Sequence, residues 1–529
     1  MTSPPSSSTF VPTPSQDRLD ALDVLRGFAL IGICIANVEF FNRPVAETGN
    51  GIPAGLHGLD WLVAFVVAYF VSGKFWTIFS LLFGMGFALM LERARTAERP
   101  FLPAYGRRIA VLGLFGLLHY LLLWSGDILI SYAIGALALM LMLFARARPM
   151  IGAVAACFVL VQLPGFGFAG WLVTPLVFAG LVGVYLRAER RALFPLVAIV
   201  PGSLMLLAAV LNFIGGKGDM GALLAIGAAL VLLGLLAWGF VQPERARPLR
   251  AGVAIFMLTY GLTALDGAMR HFAPQLAPAS SVTSATGEET DGASATLLQY
   301  RERTARSIEE KEVLTNGSYA DAVAMRLGHL EARMRDETGF VVVGVSVFLV
   351  GVWFVRSGVI ANAGRHLPLL RRLAAGGVVF GVGLGLLSSL ISTGRPPGVD
   401  DGGYDLANAL LTVGSLPASL GYVAAVLLAL HSRGMLARVR ILAPFGRMAL
   451  SNYLMQSLVF SLLFYAHGLG WWGIGRSAQV GIALLLCALQ IVFSHWWLAR
   501  FQYGPLEWVW RALTYLTWPP MRRTVTKQA

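Results

Sequence analysis

The sequence predicts an all-α polytopic transmembrane helix bundle of about fourteen spans with a small periplasmic helical cap, and three observations predict it. Of 529 residues, 57% are hydrophobic and 13% are charged, whereas a soluble chain of this size carries roughly 25% charged residues. Apolar runs of about 20 residues, the length of a bilayer-crossing helix, recur from Val24 to Ala499. Basic residues crowd alternate connections and spare the ones between.

The apolar runs fall at residues 24–42, 59–91, 108–124, 128–146, 150–163, 169–187, 193–213, 220–241, 251–271, 339–361, 374–393, 405–430, 444–466 and 478–499. Connections on one side hold arginine clusters, from Arg93, Arg95 and Arg99 near the start to Arg433, Arg438 and Arg440 near the end. The short connections opposite hold only Arg43, Lys217, Arg395 and Arg476. The positive-inside rule puts the arginine-rich side, and both termini, in the cytoplasm of a bacterial inner membrane. The net charge of +13 is therefore a topology signal, and the partner it implies is a lipid bilayer, not nucleic acid.

The chain divides along its length. Residues 1–17 are rich in Ser, Pro and Thr and predict a disordered cytoplasmic tail, with no secretory signal ahead of the first span. Residues 18–149 form a first membrane core, 150–248 a set of extra spans with few polar groups, and 249–271 a ninth span. The extra spans face lipid or a partner, and Pro195 and Pro201 kink one of them. Residues 272–338 begin as a Ser/Thr/Ala/Gly linker and continue as a charged helical cap broken near Asn316-Gly317. Residues 339–500 form a second core, and 501–529 an interfacial helix and tail with Trp508, Trp510 and Arg511. The run from Leu59 to Leu91 is too long for one straight span, and Ser72-Gly73-Lys74 is the expected break. Cys34, Cys157 and Cys487 sit singly in apolar runs, as packed small side chains do.

Ionisable groups inside a membrane are costly, so they mark function or a specific partner. The densest set is His119, then Trp124-Ser125-Gly126-Asp127 across a tight turn. One reading makes Asp127 a helix cap and His119 a packing residue; the other makes them a proton-transfer pair. Arg26 can pair with Asp20 or Asp23 as an entry anchor. Asn37 lies near the far end of the same span and Lys74 at the polar break. Arg447, Asn452, Tyr453 and Gln456 open the thirteenth span, with Ser451 and Asn452 also suited to bonding between helices. No phosphate loop, dinucleotide fingerprint or zinc-ligand spacing is present.

At these stretches the sequence resembles the YeiB-like family of bacterial inner-membrane proteins, which carry a domain of unknown function. The resemblance rests on Leu19-Asp20 with Leu25-Arg26-Gly27, Lys74-Phe75 with Leu81-Leu82-Phe83-Gly84, and His119 with Trp124 to Leu129. It continues through Gly446 to Gln456, then Gly504-Pro505, Glu507-Trp508 and Trp510-Arg511. This chain is longer than the shorter members, by about four spans between Met150 and Arg250. The family is distantly similar to transmembrane acyltransferases. In acyltransferase family three a catalytic histidine follows the arginine of the first span, and Asn37 stands at that position here.

The resemblance thus implies an acyltransferase-like protein acting on an envelope glycan, lipid or small molecule, with catalytic His119 and Asp127. The polar groups within or beside the spans, Arg26, Asn37, Lys74, Trp124, Arg447, Asn452, Tyr453 and Gln456, are the candidate substrate- or donor-binding residues. An acyl-coenzyme A donor would meet Arg26, Arg107, Arg108 and Arg447, and His57 is the reserve base. Two other classes remain open: a transporter or lipid flippase using Lys74, Asp127 and Arg447, and a non-catalytic membrane partner protein.

Overall fold

The computed structural model describes residues 20–48, 51–53, 55–163, 168–187, 193–214, 221–238, 246–272, 282–283, 289–290, 295–392 and 401–523. The expected tail at 1–17, most of the linker, and Lys217 and Arg395 lie outside the described residues. The helices are α1 (Asp20–Asn37), α2 (Gly58–Val66), α3 (Lys74–Thr96), α4 (Phe101–Leu122), α5 (Leu129–Phe144), α6 (Ala147–Leu160), α7 (Phe168–Arg187), α8 (Leu193–Ile214), α9 (Gly221–Trp238) and α10 (Arg247–Phe272). They continue as α11 (Ala295–Asn316), α12 (Tyr319–Gly328), α13 (Leu330–Arg356), α14 (Leu367–Ser392), α15 (Asp401–Leu430), α16 (Ala443–Arg447), α17 (Ala449–Phe464), α18 (Arg476–Arg500) and α19 (Pro505–Tyr515). The described residues include one minimal strand pair, Val282–Thr283 against Glu289–Thr290.

Among the described residues, eight helical segments are long and apolar enough to cross a membrane, and five shorter apolar helices accompany them. The bulk of the exposed large side chains on these helices are leucine, valine and phenylalanine, the surface a lipid environment requires. The expected break between α2 and α3 is present. A wide helical turn, Val67–Val71, precedes it, Ser72 is extended, and Gly73 takes φ +78°, a left-handed conformation that glycine adopts without a side-chain clash. Lys74 then opens α3.

Two boundaries differ from the sequence reading. The cap and the tenth span are not separate, because α13 runs unbroken from Leu330 to Arg356. Nothing between Glu337 and Gly339 interrupts a helix, so polarity changes along it while the backbone continues. The thirteenth run is the reverse case: α16 ends at Arg447, Met448 leaves helical geometry (φ −106°, ψ 30°), and α17 starts anew. The Asn452 side-chain amide donates to Phe445 O at 3.0 Å and holds this offset.

The core gathers α1, α3, α4, α5 and α13 with α16 to α19. Helices α8 and α9 pack chiefly on each other and reach the rest through α7 and α10. Leu204, Leu207 and Leu211 of α8 are exposed. The tightest junction is α1 against α16. A Cβ on Gly446 would lie 1.9 Å from Asp23 O, and one on Gly27 2.4 Å from Leu442 O. Neither position accepts a side chain, because the facing atoms are backbone. Gly446→Ala is expected to force the two helices apart. It should lower the thermal midpoint of the detergent-purified protein and its yield, and an unchanged midpoint would refute the close-contact account.

Candidate functional site

The α4–α5 turn places the histidine–aspartate pair. His119 ends the buried face of α4, and the chain turns back through Trp124 to Gly126. The Trp124 ring occupies the place where a Cβ on Gly126 would stand, 2.3 Å away, so only glycine allows so tight a fold. Asp127 then returns its carboxylate: Oδ2 lies 2.7 Å from His119 Nδ1, and Oδ1 accepts from Ile130 N at 2.8 Å. One side chain thus both caps the start of α5 and meets the imidazole. A carboxylate only accepts, so the imidazole proton belongs on Nδ1 and Nε2 is left as the acceptor. Nε2 is buried and has no hydrogen-bond partner.

A cavity of about 300 Å³ lies beside this pair. One end is basic: Arg26, Arg93, Arg108, Arg447 and Arg511 line it, with Asp23 and Glu507 among them. The opposite wall is apolar and aromatic, with Phe79, Phe83, Ile128, Tyr132 and Tyr453. His119 does not reach the wall. Tyr453 does, and its ring lies 5.1 Å from the imidazole. The α1–α16 junction is what brings Arg26 and Arg447 to the same cavity. Asp23 pairs with Arg26 at 2.8 Å, Arg108 stacks over Trp510 at 3.8 Å, and Arg447 Nε is buried without a partner. The floor is fastened by Glu507, whose Oε1 accepts from Leu450 N at 2.8 Å and Ser451 N at 3.0 Å, capping α17. Burial pushes the Glu507 carboxyl above the usual carboxylate range, partly offset by its bonds to Ser451.

The predicted site residues thus separate into groups. Arg26, Arg447 and Tyr453 line the cavity, and His119 with Asp127 stand behind Tyr453. Arg108 lines it too, whereas Arg107 donates to Thr514 O at 2.8 Å. Trp124 donates to Phe40 O at 3.1 Å and stacks on Phe41. Asn452 bonds Ser494 at 3.2 Å and Gln456 bonds Gln490 at 2.9 Å, tying α17 to α18. Asn37 ends α1 off the cavity wall, and His57 is exposed ahead of α2. Sequence reasoning missed Tyr132, Arg93 and the cavity role of Glu507. Arg93 was assigned to a topological cluster, and nothing in its spacing marks it as turned inward.

Lys74 stands apart. It is wholly buried, its ammonium has no partner, and it is not on the cavity wall. A buried charge without a counter-ion is destabilising. Lys74→Met, of similar length, is expected to raise unfolding stability, because it removes the desolvation cost of an unpaired buried ammonium. A fall in stability in a denaturation series would show that the ammonium has a compensating role.

Helices α11 and α13 contribute two buried carboxylates. Burial pushes Glu310 and Glu337 upward, partly offset by the Ala46 and Ser125 contacts of Glu310 and by Arg333 beside Glu337. A folded value above the unfolded one means protonation stabilises the fold; the gain is complete below the unfolded pKa and is lost as pH rises through the folded one. Amide exchange in α11 and α12, corrected for intrinsic rates, is expected to slow as pH falls through that window, and Glu310→Gln should flatten the response. An identical pH response in the variant would remove Glu310 from the account.

The fold and site define a polytopic helical membrane protein with an arginine-ended internal cavity beside a buried histidine–aspartate pair. Residues 354–517 match the family described as protein of unknown function DUF418. The chain is 26% identical to the uncharacterized protein YxaH of Bacillus subtilis strain 168, over 98% of this chain and 99% of the relative. It is 25% identical to the uncharacterized protein YeiB of Escherichia coli K12, over 94% and 96% respectively. The YeiB-like resemblance read from the sequence holds on these comparisons. An uncharacterized 39.9 kDa protein of Bacillus acidopullulyticus is 33% identical over 34% of this chain and half of its own length. No solved structure matches the chain.

Proposed function

We propose that this protein is an acyltransferase-like enzyme of the bacterial inner membrane, with fourteen spans, both termini cytoplasmic and the α11–α12 cap in the periplasm. The observation that carries the reading is one cavity with arginines at one end and, at the other, Tyr453 packed on the imidazole of the His119–Asp127 pair. Five guanidinium groups favour an anionic ligand such as an acyl-coenzyme A, and the apolar wall suits its acyl chain. The acceptor hydroxyl, from an envelope glycan or lipid, attacks the thioester carbonyl. Its proton passes by Tyr453 to His119 Nε2, the carbon–sulfur bond breaks, and the departing thiolate takes the proton back. Asp127 stabilises the imidazolium between those two transfers.

The alternatives lack a comparable constellation: Lys74, which a transport route would use, lies off this cavity. Mass spectrometry of envelope lipids and glycans from cells with and without the gene is the direct test, and an acyl-sized increment should vanish in its absence. His119→Gln should reduce the transfer about 10²- to 10⁴-fold, the usual contribution of a general base, while inserting normally. Arg447→Lys should weaken use of the donor, since one ammonium does not replace a planar fork. Full acylation in the His119→Gln strain would end this assignment.

A further inference from the structure

The turn carrying Asp127 is held less by itself than by the cap, some 200 residues later in the chain. The last carbonyls of a helix lack intrahelical donors, and at the end of α4 side chains of α12 supply them. Arg326 Nε donates to Leu121 O at 2.8 Å and its Nη1 to Leu123 O at 3.4 Å, while the Tyr319 hydroxyl donates to Leu122 O at 3.0 Å. Beyond the turn, Arg333 Nη2 donates to Asp127 O at 2.6 Å and to Ser131 Oγ at 3.4 Å. Glu337, one turn along α13 and 1% exposed, holds Arg333 in an ion pair at 2.5 Å. A cation at a helix C-terminus also complements its dipole, so Arg326 is doubly suited to its place.

We propose that Arg333, braced by Glu337, is a positioning residue for the His119–Asp127 pair, and that the cap sets the pair's geometry through it. The reasoning is stereochemical. The Asp127 carboxylate reaches Nδ1 with one oxygen and Ile130 N with the other, so its aim is fixed by the main chain at residue 127. Its carbonyl, where the turn meets α5, is tied down by Arg333. Without that bond the peptide following Asp127 is free to rotate, and the carboxylate loses its angle to Nδ1. Arg333 touches no reacting atom in this arrangement; it acts through Asp127. The importance of the pair for catalysis rests on the acyl-transfer reading, but the geometric claim does not.

Nitrogen-15 spectroscopy of the histidine rings, with the full chain in lipid nanodiscs and His119 assigned through His119→Gln, tests the claim without an activity assay. Wild type is expected to show His119 as one tautomer, protonated on Nδ1. Arg333→Ala should make that species a minor one in exchange with the Nε2-protonated ring. Arg333→Lys, which keeps the charge but not the two-directional donor geometry, should recover it only in part, and Glu337→Gln should fall between. Arg306→Ala, which removes an outer ion pair to Asp336 at 3.5 Å, should leave the signal as in wild type. If Arg333→Ala lowers the thermal midpoint yet keeps the wild-type tautomer, its role is structural and the proposal is overturned. It is likewise overturned if wild type itself lacks the Nδ1-protonated form. If the tautomer shifts as expected but His119→Gln cells acylate normally, the positioning role stands and the acyl-transfer reading falls.

Discussion

Backbone contact between α1 and α16 at Gly27 and Gly446 governs the interior of this molecule. Helices separated by ordinary side chains lie 8–10 Å apart; here carbonyl oxygens of each meet the glycine of the other. That proximity decides where Arg26 and Arg447 go. Each follows or precedes its glycine directly, so each side chain emerges beside the junction and turns into the same space. A wider crossing would separate the two guanidinium groups, with Asp23 kept beside Arg26 on the same helix. The junction is thus both a packing contact and the means by which charge is gathered in one cavity.

The remaining polar groups are managed by pairing, in three different ways. Glu39 and Arg43 with Arg476 satisfy each other at 2.7 and 3.0 Å, fastening α18 to the end of α1. Glu507 spends its carboxylate on the open amides of α17, turning a helix start into an anchor for α19. His119 and Asp127 satisfy one nitrogen and leave the other bare. An unmet acceptor deep in low dielectric is costly. The Lys74 ammonium, by contrast, is buried with no hydrogen-bond partner among the described residues.

The helices were legible in the sequence because apolar runs recur along the chain and arginines mark alternate connections between them. The breaks at Ser72-Gly73 and Asn316-Gly317 were legible as well, since glycine and polar residues interrupt an otherwise regular pattern. Within the site, the closeness of His119 and Asp127 followed from the short turn between them. Three features were hidden for physical reasons. The continuity of α13 left no mark, because a change of polarity does not stop a helix. The burial of Glu337 and its pairing with Arg333 were masked by the charged stretch around them, which reads as solvated surface. Asn452 and Gln456 have the composition of a binding face, and only the opposing Ser494 and Gln490 show that α18 satisfies them.

The unbroken course of α13 has a mechanical consequence. At 1.5 Å per residue, its 27 residues make a rod of about 40 Å, with the first two turns in the cap and the rest wedged against α3, α5 and α10. A rod clamped along most of its length does not hinge at its free end. Bending of the helices ahead of it is confined to the joints at Asn316–Ser318 and at His329, on either side of α12. Arg333 lies beyond both joints, on the rod itself, so the stiffness of the bundle is passed directly to the Asp127 carbonyl it holds.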